Sequence, residues 1–114
     1  MARTTPETKI KDSILDWCNA SRDGGLPILA FRRDSATINY RRGLPDLYVV
    51  YRNIHIEVEV KTPDGELSID QIKWGERFRR MGTPYLVARS LVDFIEALNN
   101  PEFLNPTNNA PKIN

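Results

Sequence analysis

Cysteine is nearly missing from the sequence, which has only Cys18 among 114 residues. One thiol excludes an internal disulfide and a zinc site built from several thiolates, so the chain does not require an oxidising compartment. Long apolar runs are also missing. No segment approaches the roughly 20 apolar residues of a membrane span, and the N-terminal stretch MARTTPETKIKDS has no signal-peptide core. These absences favour a cytoplasmic protein without a membrane partner.

An excess of either charge is missing as well, since 16 Lys and Arg face 15 Asp and Glu. Net charge alone therefore does not indicate nucleic acid. With 40% hydrophobic and 27% charged residues, the composition is that of an ordinary globular protein, and a chain of this length suits one domain. We expect residues 1–98 to form that domain. Residues 99–114, which are rich in Asn and Pro, are expected to form a flexible tail.

Local signals predict the element order αβββαβα. Thr5-Pro6 begins a first helix, Arg52-Asn53 joins two strands into a hairpin, and Ser68 with Gln71 forms a capping box for a later helix. Helices are expected at about residues 6–20, 69–81 and 91–98, and strands at about 27–33, 46–51, 54–61 and 84–89. This order predicts a mixed α/β sandwich.

The stretch IHIEVEVK in the third strand carries an unusual polar pattern. Alternation places the aliphatic residues toward the core and His55, Glu57, Glu59 and Lys61 on the opposite face. A solvated face would by itself account for the pattern. However, the hairpin also brings Asp46 near Glu59, and two close carboxylates must share a proton or bind a cation, for which magnesium is well suited. The ammonium of Lys61 would then stabilise phosphate charge or orient water.

The combination of GLPD at 43–46, Glu59-Val60-Lys61 and Gln71 in the next helix resembles the PD-(D/E)xK nuclease signature. The resemblance is to its VRR-NUC (virus-type replication-repair nuclease) version and covers about residues 7–94. It implies a restriction-endonuclease-like αβββαβ(α) core, with a mixed sheet flanked by helices. It also implies DNA phosphodiester hydrolysis with Mg²⁺ or Mn²⁺ and, for small stand-alone members, cleavage of four-way junctions by homodimers.

The same resemblance implies a role for each matching residue. Asp46 and Glu59 would be metal ligands, together with the backbone carbonyl of Val60, and Lys61 would position the attacking water. Gln71 would lie near the metal or the nucleophile, although its place in the capping box also accounts for it.

Glu7 matches the family's acid on the first helix and would be a further catalytic residue and metal ligand. A glutamate in a first turn is also explained by the helix dipole. Two other polar residues on the third strand are given no catalytic role: His55 is expected to be a surface residue, and Glu57 is expected to pair with an arginine. Cys18 is expected to be a small core residue.

Two groups of basic residues are candidates for phosphate contacts. Lys73, Arg77 and Arg80 share one face of the helix that follows the catalytic strand. Arg41 and Arg42 immediately precede the GLPD stretch. A solvated helix face, paired with neighbouring acids, is the alternative.

Together these features predict a divalent-metal-dependent endonuclease that acts on branched DNA, with no small-molecule substrate. A homodimer is expected because a small domain has little surface for gripping a junction, and a C₂ dimer meets two equivalent strands. The expected location is the cytoplasm of a bacterium or of a virus-infected cell. The alternatives are a nuclease of flaps, nicks or damaged duplex, and an inactive DNA-binding module. The presence of Asp46, Glu59 and Lys61 together favours an active enzyme.

Overall fold

The computed structural model describes residues 5–33 and 42–105 of the chain. The helices are α1 (Pro6–Asp23), α2 (Ile69–Arg80), α3 (Leu91–Leu98) and α4 (Pro101–Leu104), and the strands are β1 (Ile28–Arg32), β2 (Leu47–Tyr51), β3 (Ile54–Val60) and β4 (Tyr85–Ala88). The side chains of Thr5, Ser68 and Ser90 each accept a backbone N–H in the first turn of the helix that they cap. The predicted order αβββαβα is confirmed, and α4 is added to it.

The four strands form one mixed sheet in the order β1-β2-β3-β4. The first three strands are antiparallel, and the predicted hairpin pairs Leu47 with Val58 and Tyr51 with Ile54. Strand β4 lies parallel to β3, and α2 is the crossover that a parallel pair requires. A mixed sheet flanked by helices is the predicted fold class, which is therefore confirmed.

One face of the sheet carries the hydrophobic core. Buried aliphatic residues of β2 and β3, such as Val49 and Val58, pack against Ile14 and Cys18 of α1 and Phe94 of α3. Cys18 is fully buried, so its predicted place in the core is confirmed. Burial raises the pKa of its thiol to about 12, against a smaller opposing effect of the Arg22 charge.

The opposite face of β3 is buried at Glu57 and Glu59, so the solvated-face explanation is wrong for these two residues. Glu57 and Glu59 are each only 1% exposed. Strand β3 is an inner strand, and its neighbour β4 places Tyr85 beside Glu57 on this face. Helix α2 packs closely there, because a Cβ on Gly75 would lie 2.7 Å from the Tyr85 ring. The two glutamates therefore lie in a buried layer on the face of the sheet where α2 packs against β4.

Helix α4 lies in the segment that was expected to be a flexible tail from residue 99. Asn100 caps it by accepting the N–H groups of Glu102 and Phe103, with Pro101 in the first turn. Phe103 and Leu104 pack against the core. The Asn and Pro that suggested a tail are thus the N-cap and the first helical residue. Residues 106–114 lie outside the described part of the chain. Among the described helices, none has the length and apolar character needed to cross a membrane.

Candidate active site

Asp46 lies at the end of the loop that enters β2, where it contacts two other elements. Its Oδ2 accepts the Val60 N–H at 2.9 Å, and its Oδ1 lies 3.4 Å from Nζ of Lys11 on α1. The side chains of Asp46 and Lys11 are both 21% exposed, so the carboxylate is held in place but open to solvent. Lys11 was not predicted. A signal was available, however, because it lies one helical turn after Glu7 and therefore on the same face of α1.

Glu59 lies on β3 beside Asp46, as the predicted hairpin required. Its carboxyl and that of Asp46 are close enough for each to shift the pKa of the other. The Oε1 atom of Glu59 is buried and has no hydrogen-bond partner among the described residues. Buried carboxylate oxygens are normally paired, so this oxygen needs a further partner.

The pKa values of the two carboxyls move in opposite directions. Burial, followed by the hydrogen bond and charge of Asp46, raises the pKa of Glu59 to about 10, against a smaller opposing effect of Lys61. Burial also acts to raise the pKa of Asp46, but the hydrogen bonds from Glu59 and from the Val60 N–H, together with Lys11, outweigh it and lower the pKa. Without a cation, the pair therefore holds one proton, on Glu59.

Lys61 and Glu7 both act electrostatically on Glu59. Lys61 directly follows β3, where its N–H donates to the Ala88 carbonyl at 3.0 Å, and its ammonium is close enough to favour the charged form of Glu59. The charge of Glu7, in the first turn of α1, acts in the opposite direction on Glu59. The described residues nevertheless contain no group of three or more His, Cys, Asp or Glu side chains arranged to hold a metal.

The loop before Asp46 contains a glycine, Gly43, at a position where no other residue fits. Gly43 has a φ of 87°, and a Cβ there would lie 2.6 Å from Cβ of Asp70 on α2. Both the backbone conformation and the close approach require glycine. Trp74 of α2 also donates its indole N–H to the Arg42 carbonyl at 3.0 Å. The loop is therefore fixed against the first turns of α2.

A match to a known family accompanies this geometry: the model of the VRR-NUC domain matches residues 3–91. The chain belongs to the VRR-NUC family. The domain is therefore a nuclease domain, and its substrate is DNA. No protein with a curated description matches the chain.

Two solved structures share the fold of this VRR-NUC domain. One, described as a VRR_NUC domain, has a TM-score of 0.69 at 24% identity and covers 85% of this chain and 98% of its own. The other, described as a VRR_NUC domain protein, has a TM-score of 0.68 at 17% identity, with coverage of 91% and 93%. At these identities the likeness concerns the fold alone.

Gln71 of the VRR-NUC domain makes the capping-box contacts that were the alternative to a catalytic role. Its Oε1 accepts the Ser68 N–H at 2.8 Å, and its own N–H donates to Ser68 Oγ at 3.2 Å. These contacts account for the residue type without catalysis. A role of Gln71 near the nucleophile stays a prediction.

Glu57 pairs with an arginine, as predicted, and the partner is Arg33. Two guanidinium nitrogens lie 2.5 and 3.0 Å from its two carboxylate oxygens. His55 is about half exposed, as expected for a surface residue, yet its Nε2 lies 2.5 Å from Glu57 Oε2. Its ring also stacks on Tyr48. Nothing in the local sequence marked Arg33 as this partner, because the two residues are 24 positions apart.

Tyr85 was not predicted either, although it lies on the same buried layer. Its hydroxyl is buried and has no hydrogen-bond partner among the described residues. Burial, and next the charge of Glu59, raises its pKa to about 12. A tyrosine that begins an ordinary apolar strand gives no sequence signal for such a position.

The basic residues Lys73, Arg77 and Arg80 are exposed and line one shallow groove on α2 together with Glu76. We refer to these three residues as the α2 basic face. None of them makes an ion pair within 4 Å with an acid of the described residues. The guanidinium of Arg77 lies over the Trp74 ring, 4.7 Å from its centroid. Arg42 is exposed beside this helix, and Arg41 lies outside the described residues.

Proposed function

We propose that this VRR-NUC domain is a divalent-metal-dependent endonuclease of the PD-(D/E)xK type, which uses Mg²⁺ or Mn²⁺ to cleave branched DNA. The observation that carries the proposal is the pairing of Asp46 with Glu59, one of whose buried oxygens has no partner. A buried, unpartnered carboxylate oxygen beside a second carboxylate fits a hard cation with oxygen ligands.

The ligand set would consist of Asp46, Glu59 and the backbone carbonyl of Val60, with water completing the shell as is usual for magnesium. Glu7 is proposed as a further carboxylate ligand, supported by its electrostatic effect on Glu59. When bound, the cation would supply Lewis-acid stabilisation of the phosphate and a lowered pKa for a bound water.

The residues of the pair and around it would have different roles in hydrolysis. Glu59 would hold a cation as a carboxylate and would release its proton on binding, because a nearby positive charge favours the ionised form. Lys11 supports Asp46 by favouring its ionised form. Lys61, beside Glu59, donates hydrogen bonds to the attacking water or to a phosphate oxygen, where an ammonium stabilises the charge that develops during hydrolysis. The amide of Gln71 is proposed to lie near the same water.

DNA would approach along α2 and the loop before β2. The α2 basic face would contact the backbone phosphates, with Arg41 and Arg42 close to the scissile phosphate. Support comes from the exposure of the α2 basic face and from its lack of ion pairs within 4 Å with acids of the described residues. Four-way junctions and a homodimer are proposed on size and symmetry, since a C₂ dimer presents two active sites to two equivalent strands.

The test is the cleavage of a labelled four-way junction, a flap and a plain duplex in Mg²⁺, Mn²⁺ or EDTA, with wild type and Asp46→Ala side by side. We expect paired, symmetric cuts in the junction that require both the metal and Asp46. Cutting of flaps or duplex would support the proposed active site but contradict the proposal that four-way junctions are the substrate. Binding without cutting in either metal would contradict the enzyme assignment and favour a DNA-binding module.

A further inference from the structure

Arg33 follows the last residue of β1 and contacts three other segments of the domain. Its guanidinium forms the paired contacts with Glu57 on β3 and also donates from Nη1 to the Pro45 carbonyl at 2.9 Å. The same group lies over the ring of Tyr48 on β2, 5.1 Å from its centroid. The side chain is only 23% exposed. It is therefore a partly buried junction between the loop before β2 and strand β3.

The contacts of Arg33 lie on both sides of Asp46. Its backbone N–H donates to the Asp46 carbonyl at 2.9 Å, which extends the β1–β2 pairing by one residue. Its side chain holds the Pro45 carbonyl, which belongs to the preceding peptide group. Both peptide groups that flank the Asp46 Cα are thus bonded to one residue. The direction in which the Asp46 side chain leaves the backbone depends on these two peptide planes.

Glu57 anchors this arrangement to the strand that carries the second carboxylate. It is 1% exposed and lies two residues before Glu59 on the same face of β3. A buried carboxylate requires a charged partner, and the planar fork of an arginine matches both of its oxygens and fixes their geometry. Arg33 therefore connects the backbone of Asp46 to the strand position of Glu59.

We propose that Arg33 is a positioning residue that sets Asp46 against Glu59, with Glu57 as its anchor and not as a metal ligand. The catalytic consequence rests on the proposed function, whereas the structural consequence does not. Arg32 provides a matched control, since it is the preceding residue but forms an exposed surface pair with Asp12, which contributes little.

The structural consequence is measured on the metal-free protein in EDTA, through the NMR chemical shift and the exchange rate of the Val60 amide. This amide donates to Asp46 Oδ2 at 2.9 Å and so reports where the carboxylate lies. Arg33→Lys keeps the charge but loses the fork, and Glu57→Gln keeps the size of the anchor but removes its charge. Asp46→Ala removes the acceptor and gives the chemical shift and exchange rate of the Val60 amide without this hydrogen bond. Arg32→Lys is the control.

We expect the Val60 amide to move toward its Asp46→Ala position in both Arg33→Lys and Glu57→Gln, but not in Arg32→Lys. An unchanged amide in the first two variants would overturn the proposal, and so would an equal shift in the control. Glu57→Gln supplies the test if Arg33→Lys does not fold.

Single-turnover cleavage then tests the catalytic consequence. We expect the rate at saturating enzyme to fall about 10- to 100-fold in Arg33→Lys, as for a catalytic group displaced by about an ångström, with DNA affinity unchanged. A shifted amide with a normal cleavage rate would overturn the catalytic half of the proposal. If wild type itself does not cut, the proposed function fails, while the amide measurement still decides the positioning role.

Discussion

Replacing Glu59 with Gln should remove a specific pH dependence of the domain's stability. The pKa of Glu59 is raised by burial and by Asp46 from 4.5 to about 10, so between these values the folded state binds a proton that the unfolded state releases. The free energy of unfolding should therefore fall as pH rises, by about 1.4 kcal/mol per pH unit. Between pH 5 and pH 8 the loss is about 4 kcal/mol, a large part of a typical domain's stability.

No other shifted group of the described residues interferes in that window. The pKa of Asp46 is lowered, so its effect lies below about pH 4. The pKa values of Cys18 and Tyr85 are raised to about 12 from ordinary values of 9.0 and 10.0, so their effects begin near pH 9. A slope between pH 5 and pH 8 that is lost in Glu59→Gln is therefore assigned to Glu59.

The assay is urea unfolding in EDTA at four pH values from 5 to 8, on wild type, Glu59→Gln and Glu66→Gln. Glu66 is an exposed glutamate that, like Glu59, precedes α2 in the sequence, and it serves as the control. We expect the slope to disappear in Glu59→Gln, whose amide is neutral, and to persist in Glu66→Gln. If the free energy of unfolding depends on pH equally in wild type and Glu59→Gln, Glu59 does not hold a proton in the folded state and the reasoning is refuted.

Three further predictions concern the remaining parts of the site. Lys61→Ala should retain DNA and Mn²⁺ binding but lose cleavage, and normal single-turnover rates would remove Lys61 from the mechanism. Reversing the three charges of the α2 basic face should weaken DNA binding and reduce the slope of log K against log salt by about three, while an unaltered slope would assign the face to ordinary solvated surface. Gly43→Ala should cost about 1–3 kcal/mol more in urea unfolding than Gly25→Ala. Both glycines have positive φ but only Gly43 meets Asp70, so equal losses would show that this contact is not required.

The parts of the fold that could be predicted are those that local chemistry determines. The caps at Thr5 and Ser68, the strand propensity of β2 and β3 and their short connection all act within a few residues. The same locality brought Asp46 close to Glu59, because a hairpin pairs residues that are near in sequence. Helix α4 was missed because its Asn and Pro have two meanings, as loop formers and as a helix start.

The burial of the polar face of β3 could not be predicted in the same way. Alternation is typical of a half-exposed strand, but Glu57 and Glu59 are buried because β3 lies inside the sheet and α2 packs on the same face, against Tyr85 of the neighbouring β4. Arg33 reaches Glu57 across 24 residues, so no local pattern identifies it. Lys11 reaches Asp46 across 35 residues and is indicated only by its place one helical turn after Glu7. The sequence could therefore predict that Asp46 and Glu59 lie together, but not that Arg33 contacts the loop that carries Asp46.

Calorimetry of Mn²⁺ binding at pH 7, carried out in two buffers of different ionisation enthalpy, tests the central claim most directly. Cation binding to the Asp46–Glu59 pair must displace the proton on Glu59. We predict a single site that releases close to one proton and disappears in both Asp46→Asn and Glu59→Gln, with Glu66→Gln as the unaffected control. Binding that survives both substitutions, or that releases no proton, would contradict the assignment of this pair as the metal centre.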